Sequence, residues 1–297
     1  MREITMHAAD GEQAALWNGP AGRAWVEAQE LLDRMFEPFE DLLVNAIRAG
    51  SGSRALDVGC GTGSTTLAVA RRLGPEGRCT GIDISASMIA AARVRAEREG
   101  TSAAFICADA QRYSFAPASF DTIVSRFGVM FFEDPVQAFA NLRRAAAVDA
   151  ELRFVAWRSA AGNPFMTTAE RSAAPLLPTL APRRPDAPGQ FAFADGDRVQ
   201  AILEASGWAG IDIQPVDAPC VLPEKDLVHY LTRLGPVGRI LADLDDCTRA
   251  RVIEVVRPAF DSYVKGAEVH FTAACWLVRA RASAIPSVSR PTLSAPE

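Results

Sequence analysis

Apolar residues recur at helical spacing along residues 21–49, among them Trp25, Ala28, Leu32, Met35, Phe39 and Leu42, and that period predicts helix. Pro38 interrupts the run. An interior proline removes a backbone hydrogen bond and crowds the turn before it, so two short helices are expected. From residue 54 the period changes, and short apolar runs alternate with longer amphipathic ones. Strands are expected at 54–58 (RALDV), 78–83 (RCTGID), 103–109 (AAFICAD), 120–127 (FDTIVSRF) and 150–157 (AELRFVAW). Helices are expected at 64–73, 85–99 and 134–147, the second closed by Gly100 and the third carrying Pro135 in its first turn. Such alternation implies right-handed crossovers and a mostly parallel sheet with helices on both faces.

The second half of the chain is less regular. The proline-rich stretch AAPLLPTLAPRRPDAPG (173–189) predicts a surface loop, followed by a helix over 197–206 and a strand at GIDIQPV (210–216). A largely helical block (224–260) precedes the strand-like AEVHFTAACWLVRAR (267–281). Residues 282–297 lack any period and predict a disordered tail. No internal repeat is found.

Composition narrows the function classes. With 49% apolar and 23% charged residues, the chain reads as a soluble protein with a sizeable core. A net charge of -5 and the lack of any basic run argue against nucleic acid. No apolar segment is long enough for a membrane span, and the first residues lack a signal-peptide core. Six scattered cysteines, without paired or zinc-like spacing, point to free thiols, a reducing cytoplasm and no metal.

The candidate chemistry lies in ALDVGCGTGSTTLAVARRLG (55–74), where three glycines follow the first predicted strand. Glycine costs about 0.5–1 kcal/mol relative to alanine in regular structure, so the cluster implies a tight turn or a close ligand. A P-loop would need a lysine before its Ser/Thr, and the chain has Ser64-Thr65. A dinucleotide fingerprint would need glycine at 64 or 66, which are Ser64 and Thr66. The spacing is instead GxGxG, with Asp57 two positions upstream.

That arrangement resembles the first motif of class I S-adenosylmethionine-dependent methyltransferases. The likeness continues with Asp83 in GIDIS, Asp109 in CADA and the segment FDTIVSRFGVMFF. It spans roughly residues 54–157, most closely like the small-molecule enzymes of quinone biosynthesis and secondary metabolism. It implies a Rossmann-like, doubly wound α/β sheet of seven strands, mostly parallel with an antiparallel last strand, plus helical lid insertions. The chain would divide into an N-terminal helical lid (1–50), a cofactor-binding core (51–158), a lid insertion with its helix (159–209), and a segment completing the sheet (210–281). S-adenosylmethionine would be the methyl donor and S-adenosylhomocysteine the product. Asp83 would accept from the ribose hydroxyls, and Asp57 would help to hold the ammonium through water or backbone. Gly59, Gly61 and Gly63 would let main chain pass close to the methionine and ribose. Ile84 and Met88 would flank adenine, whose edge would meet Asp109 and the Ala110 amide. Ser125 would begin the segment facing the transferred methyl. The chain departs from its relatives at AAAVDAEL, which lacks the usual glycine-proline turn before the fifth strand.

In-line methyl transfer needs alignment more than a strong base, and no catalytic dyad is evident. His229 and Arg126 are the catalytic candidates, each with a structural alternative: an ordinary polar helix residue and a salt bridge. Trp17, Arg126 and Trp157 are candidate substrate contacts. His7 and His270 are discounted, and Cys60 reads as a small loop residue rather than a nucleophile. The insertions suit a small, fairly apolar acceptor enclosed away from water. The acceptor atom is left open, as is a homodimer. The alternatives are a catalytically silent cofactor-binding protein or partner subunit, and a nicotinamide-dependent oxidoreductase disfavoured by the missing glycines.

Overall fold

The computed structural model describes residues 11–47, 52–184 and 187–283. His7 and nearly all of the expected tail lie outside them. The core alternates as its period predicts: β1 (Arg54–Val58), α4 (Ser64–Leu73), β2 (Arg78–Asp83), α5 (Ala86–Glu99), β3 (Ala104–Cys107), β4 (Phe120–Arg126), α6 (Pro135–Ala145) and β5 (Ala146–Trp157). In β1 the pleat sends Leu56 and Val58 into the main core, while Ala55 packs in a second cluster beside Val69 and Leu73 of α4. A strand buried on both faces is what a sheet covered by helices on each side requires.

Strand order is β3-β2-β1-β4-β5-β8-β6, where β6 spans Ala209–Pro223 and β8 spans Glu268–Arg281. The first five strands are parallel; β8 runs antiparallel to both β5 and β6. These are the seven expected strands with the antiparallel last one. A two-residue β7 (Val264–Lys265) adds a short hairpin on β8. Because β2 and β3 lie on one side of β1 and β4 on the other, the chain reverses direction between β1 and β4. The crevice beyond the carboxyl ends at such a reversal is the ligand position of open α/β sheets.

Local chemistry fixes the helix ends. The Ser85 hydroxyl accepts from Met88 N at 3.4 Å to start α5, and Gly100 closes it at φ +64°. Asp134 caps α6 through Gln137 N at 3.0 Å, with Pro135 in first position. The missing glycine-proline turn is replaced by Asp149 at φ +62°, a conformation Asp tolerates better than most residues. Ala282, assigned by its sequence to the tail, belongs to the sheet, exchanging backbone bonds of 2.8 and 2.9 Å with Asp149 and Ala150.

One expected break is absent. Three helices open the described chain: α1 (Glu12–Asn18), α2 (Pro20–Glu27) and α3 (Gln29–Val44), and α3 runs straight through Pro38. Its apolar face is pinned on both sides of the proline by buried Met35, Phe36, Phe39 and Leu43. The carbonyl that loses its donor belongs to exposed Arg34, where water can serve it. Packing overrides the proline, and the break falls at Ala28.

The second half builds a cap from α7 (Pro164–Ala173), α9 (Leu227–Arg233), α10 (Gly235–Leu241) and α11 (Asp246–Val256), while α8 (Gly196–Ala205) packs against α6. Among the described residues no helix is long and apolar enough to cross a membrane.

Candidate functional site

Gly59, Gly61 and Gly63 all adopt left-handed backbone, at φ +66°, +55° and +88°. The corner is tied to β2 by Gly59 N and Cys60 N, both donating to Ile82 O at 2.8 and 3.1 Å. A Cβ on Gly59 would stand 2.6 Å from Gly128 Cα, so the loops after β1 and β4 touch main chain to main chain. Gly81 has a related role, since a Cβ there would meet Thr66 Oγ1 at 2.7 Å and Cys60 Sγ at 2.8 Å. It serves the packing of strand against helix.

Above this corner opens a cavity of about 1750 Å³. Ligand pockets are commonly about 300–1,000 Å³, so the volume exceeds what one small molecule needs. Its walls include Gly59, Gly61, Asp83, Ile84, Met88 and Asp109, and also Ala110. Asp83 Oδ2 accepts from Gly61 N and Oδ1 from Ser85 N, each at 2.8 Å. The carboxylate therefore aims at the cavity with lone pairs still free. Loss of hydration raises its pKa, against the lowering effect of those backbone bonds. Asp109 Oδ1 accepts from Gln111 N at 2.9 Å, which leaves its other oxygen near Arg112 at 3.7 Å.

Four sequence-expected site residues stand elsewhere. Gly63 packs on Ala92 and Phe105 behind the corner and forms no part of the cavity wall. Ser125 is fully buried: its hydroxyl donates to Val58 O at 2.7 Å and accepts from Gly128 N and Val129 N. It holds the turn after β4 and lies off the cavity wall. His229 is exposed on α9 and off the wall, because the helix turns Tyr230 and Leu231 inward instead. His270 bonds Glu268 at 3.0 Å on β8.

Asp57 is the fourth. It is 1% exposed beneath the loop, where Oδ2 accepts from Thr66 Oγ1 at 2.7 Å and Oδ1 has no partner. Burial raises its pKa to about 7, opposed by the Thr66 bond and the Arg126 guanidinium. An unfolded carboxyl ionises near 3.8, so between about 4 and 7 the folded chain binds the proton more tightly. Stability from this group is then present at low pH and is lost as pH rises through about 7. The melting-temperature difference between Asp57→Asn and wild type is expected to shift in favour of the variant from pH 5 to pH 8. A pH-independent difference in a thermal scan would contradict this.

Arg126 lies on the wall but is framed by carboxylates, Nη2 3.7 Å from Asp33 and Nη1 3.6 Å from Glu40, and Glu40 also takes the Ser64 hydroxyl. It is a counter-ion for these two carboxylates of α3. Trp157 stacks on Phe127 at 4.8 Å and 13°, and Phe127 itself sits at φ +64°. Trp17 packs edge-on against Phe131 at 5.0 Å.

Sequence reading missed Asn18. Its side chain donates to Ile84 O at 3.1 Å and accepts from Ala86 N at 2.9 Å. With the Ser85 hydroxyl donating to Trp17 O at 2.8 Å, these bonds fasten α1 onto the loop after β2. A lone asparagine in a helical run carries no local signal of such a clamp.

Residues 55–148 match a family model described as a methyltransferase domain. Aklanonic acid methyltransferase DauC of Streptomyces sp. (strain C5) is 32% identical over 124 residues, 40% of this chain and 56% of that protein. The 2-phytyl-1,4-naphtoquinone methyltransferase of Thermosynechococcus vestitus is 33% identical over 106 residues, 36% of this chain and 47% of that protein. The chain spans about half the length of the curated relatives it matches. In fold it is similar to the YcgJ protein of Bacillus subtilis, with a TM-score of 0.57 at 17% identity, covering 84% of this chain and all of that one.

Proposed function

We propose that this chain binds S-adenosylmethionine over the tips of β1 to β3 and methylates a small, fairly apolar molecule, a reading supported by the match of residues 55–148 to a methyltransferase domain. The observation that carries the reading is Asp83, a half-buried carboxylate on the cavity wall with both oxygens oriented by backbone amides. Its remaining lone pairs suit a pair of vicinal hydroxyls. Gly59 and Gly61 expose main chain to the ligand, Ile84 and Met88 supply apolar walls for a flat base, and Asp109 with the Ala110 amide suits that base's polar edge. Once ionised, above about pH 7, Asp57 would place negative charge under the corner and favour a cationic methionine end through the intervening backbone.

When bound, the sulfonium supplies an activated methyl group and a neutral thioether leaving group. The chain's own work is to align the acceptor and exclude water. The first three helices and the segment 159–209 serve as the lid, the core 51–158 as the cofactor platform, and 210–281 completes the sheet and the cap. Tyr230 is no base: burial raises its pKa, and its hydroxyl donates to Met166 Sδ at 3.5 Å.

The test is turnover. With a panel of phenolic, quinol and carboxylic acid acceptors, release of S-adenosylhomocysteine is expected above the acceptor-free rate for at least one class. Binding of the donor without acceptor-dependent release from any of them would contradict the enzymatic reading.

A further inference from the structure

The cavity extends beyond what a nucleoside occupies, and its far end is built from other elements: α7, the loop after it, α9 and α10. Phe165, Met166, Leu234, Ile240 and Phe260 make this end apolar. Charge is nonetheless placed there. Arg183, Arg184, Arg239 and Arg233, the last paired with Glu27 at 3.8 Å, line it with a single carboxylate, Glu170. Arg183 is already satisfied. It forks onto Glu170, with Nε at 2.9 Å from Oε2, donates to Gln190 at 3.2 Å and lies 4.7 Å over the Phe191 ring.

Arg239 differs. No described residue gives it a hydrogen bond or an ion pair within contact distance. It is exposed and lines the cavity, with Glu170 and Arg183 near enough to act on it in opposite directions. Its guanidinium is thus presented to the cavity with no protein counter-group among the described residues. Its planar fork matches an oxyanion in shape as well as charge.

We propose that the far end of the cavity receives an acidic group carried by an otherwise apolar acceptor, and that Arg239 is the residue that takes it. The inference rests on the methyltransferase reading, in which this space belongs to the acceptor. Arg239 is an anchor for specificity and takes no part in the transfer itself. The Glu170–Arg183 pair beside it sets the strength of the site, because Glu170 occupies a second guanidinium and repels an incoming anion.

Two dyes on one aromatic frame test this: 1-anilinonaphthalene-8-sulfonate and its uncharged parent N-phenyl-1-naphthylamine, titrated by fluorescence with S-adenosylhomocysteine saturating. Wild type is expected to hold the sulfonate at least about tenfold more tightly. Arg239→Met should remove most of that preference, and Glu170→Gln should widen it by freeing Arg183. Equal affinities on wild type, or a preference unchanged in both variants, would overturn the proposal. Should Arg239→Met fail to fold, the direction of change in Glu170→Gln decides. Calorimetry with S-adenosylhomocysteine on the same wild-type sample separates the two readings. No heat there contradicts the cofactor assignment, whereas heat without any dye preference contradicts only the acidic-acceptor inference.

Discussion

Asp83→Ala is expected to weaken S-adenosylhomocysteine binding by about 30- to 150-fold. That range is the loss of a charge-assisted pair of bonds, about 2–3 kcal/mol, at about 1.4 kcal/mol per tenfold. The residue acts twice, since the carboxylate that suits the ribose also holds Gly61 N and Ser85 N at 2.8 Å. Removing it strands two amide donors at the corner, so the loop itself should loosen. Asp83→Asn is expected to recover little, because one face of a carboxamide is a donor and would meet one of those N–H groups head on. Calorimetric titration of both variants, with melting temperatures to confirm folding, measures the effect. A dissociation constant within about twofold of wild type would mean that the acid does not face the ligand.

Gly59→Ala should damage the fold itself. An alanine there would occupy φ +66° and put its Cβ 2.6 Å from Gly128 Cα, a main-chain atom with no freedom to withdraw. Left-handed backbone costs a non-glycine residue about 1–2 kcal/mol, and overpacking adds about 1–3 kcal/mol. A fall in melting temperature of about 5–10 °C is therefore expected. The matched control is Gly100→Ala, left-handed at φ +64° but with nothing within 4 Å of the added atom. It carries only the conformational cost, and its melting temperature should fall much less. Equal shifts in the two variants would show that the contact between the β1 and β4 loops is unimportant.

The sheet was legible in the sequence because period and punctuation agree there. Ser85, Gly100 and Asp134 each stand where a helix must start or stop, and Leu56 and Val58 alternate with Ala55 across a strand covered on both faces. Asp83 was legible as an acid closing a strand beside a glycine corner. What escaped depends on partners distant in sequence. Pro38 reads as a breaker until the buried faces of Met35 and Phe39 are known. Ser125 sits at the right strand end for a ligand contact, yet the carbonyl of Val58, from the neighbouring strand, claims its hydroxyl. His229 and Tyr230 are adjacent in sequence, and only the docking of α9 decides which of them enters the cavity.

The central claim is that a sulfonium nucleoside lies over the carboxyl ends of β1 to β3 with its sugar on Asp83. A crystal structure of the chain with S-adenosylhomocysteine tests it most directly. The account predicts both ribose hydroxyls within about 3 Å of the Asp83 carboxylate oxygens, with the base between Ile84 and Met88. A nucleoside seated elsewhere, or with its sugar turned away from Asp83, would contradict it.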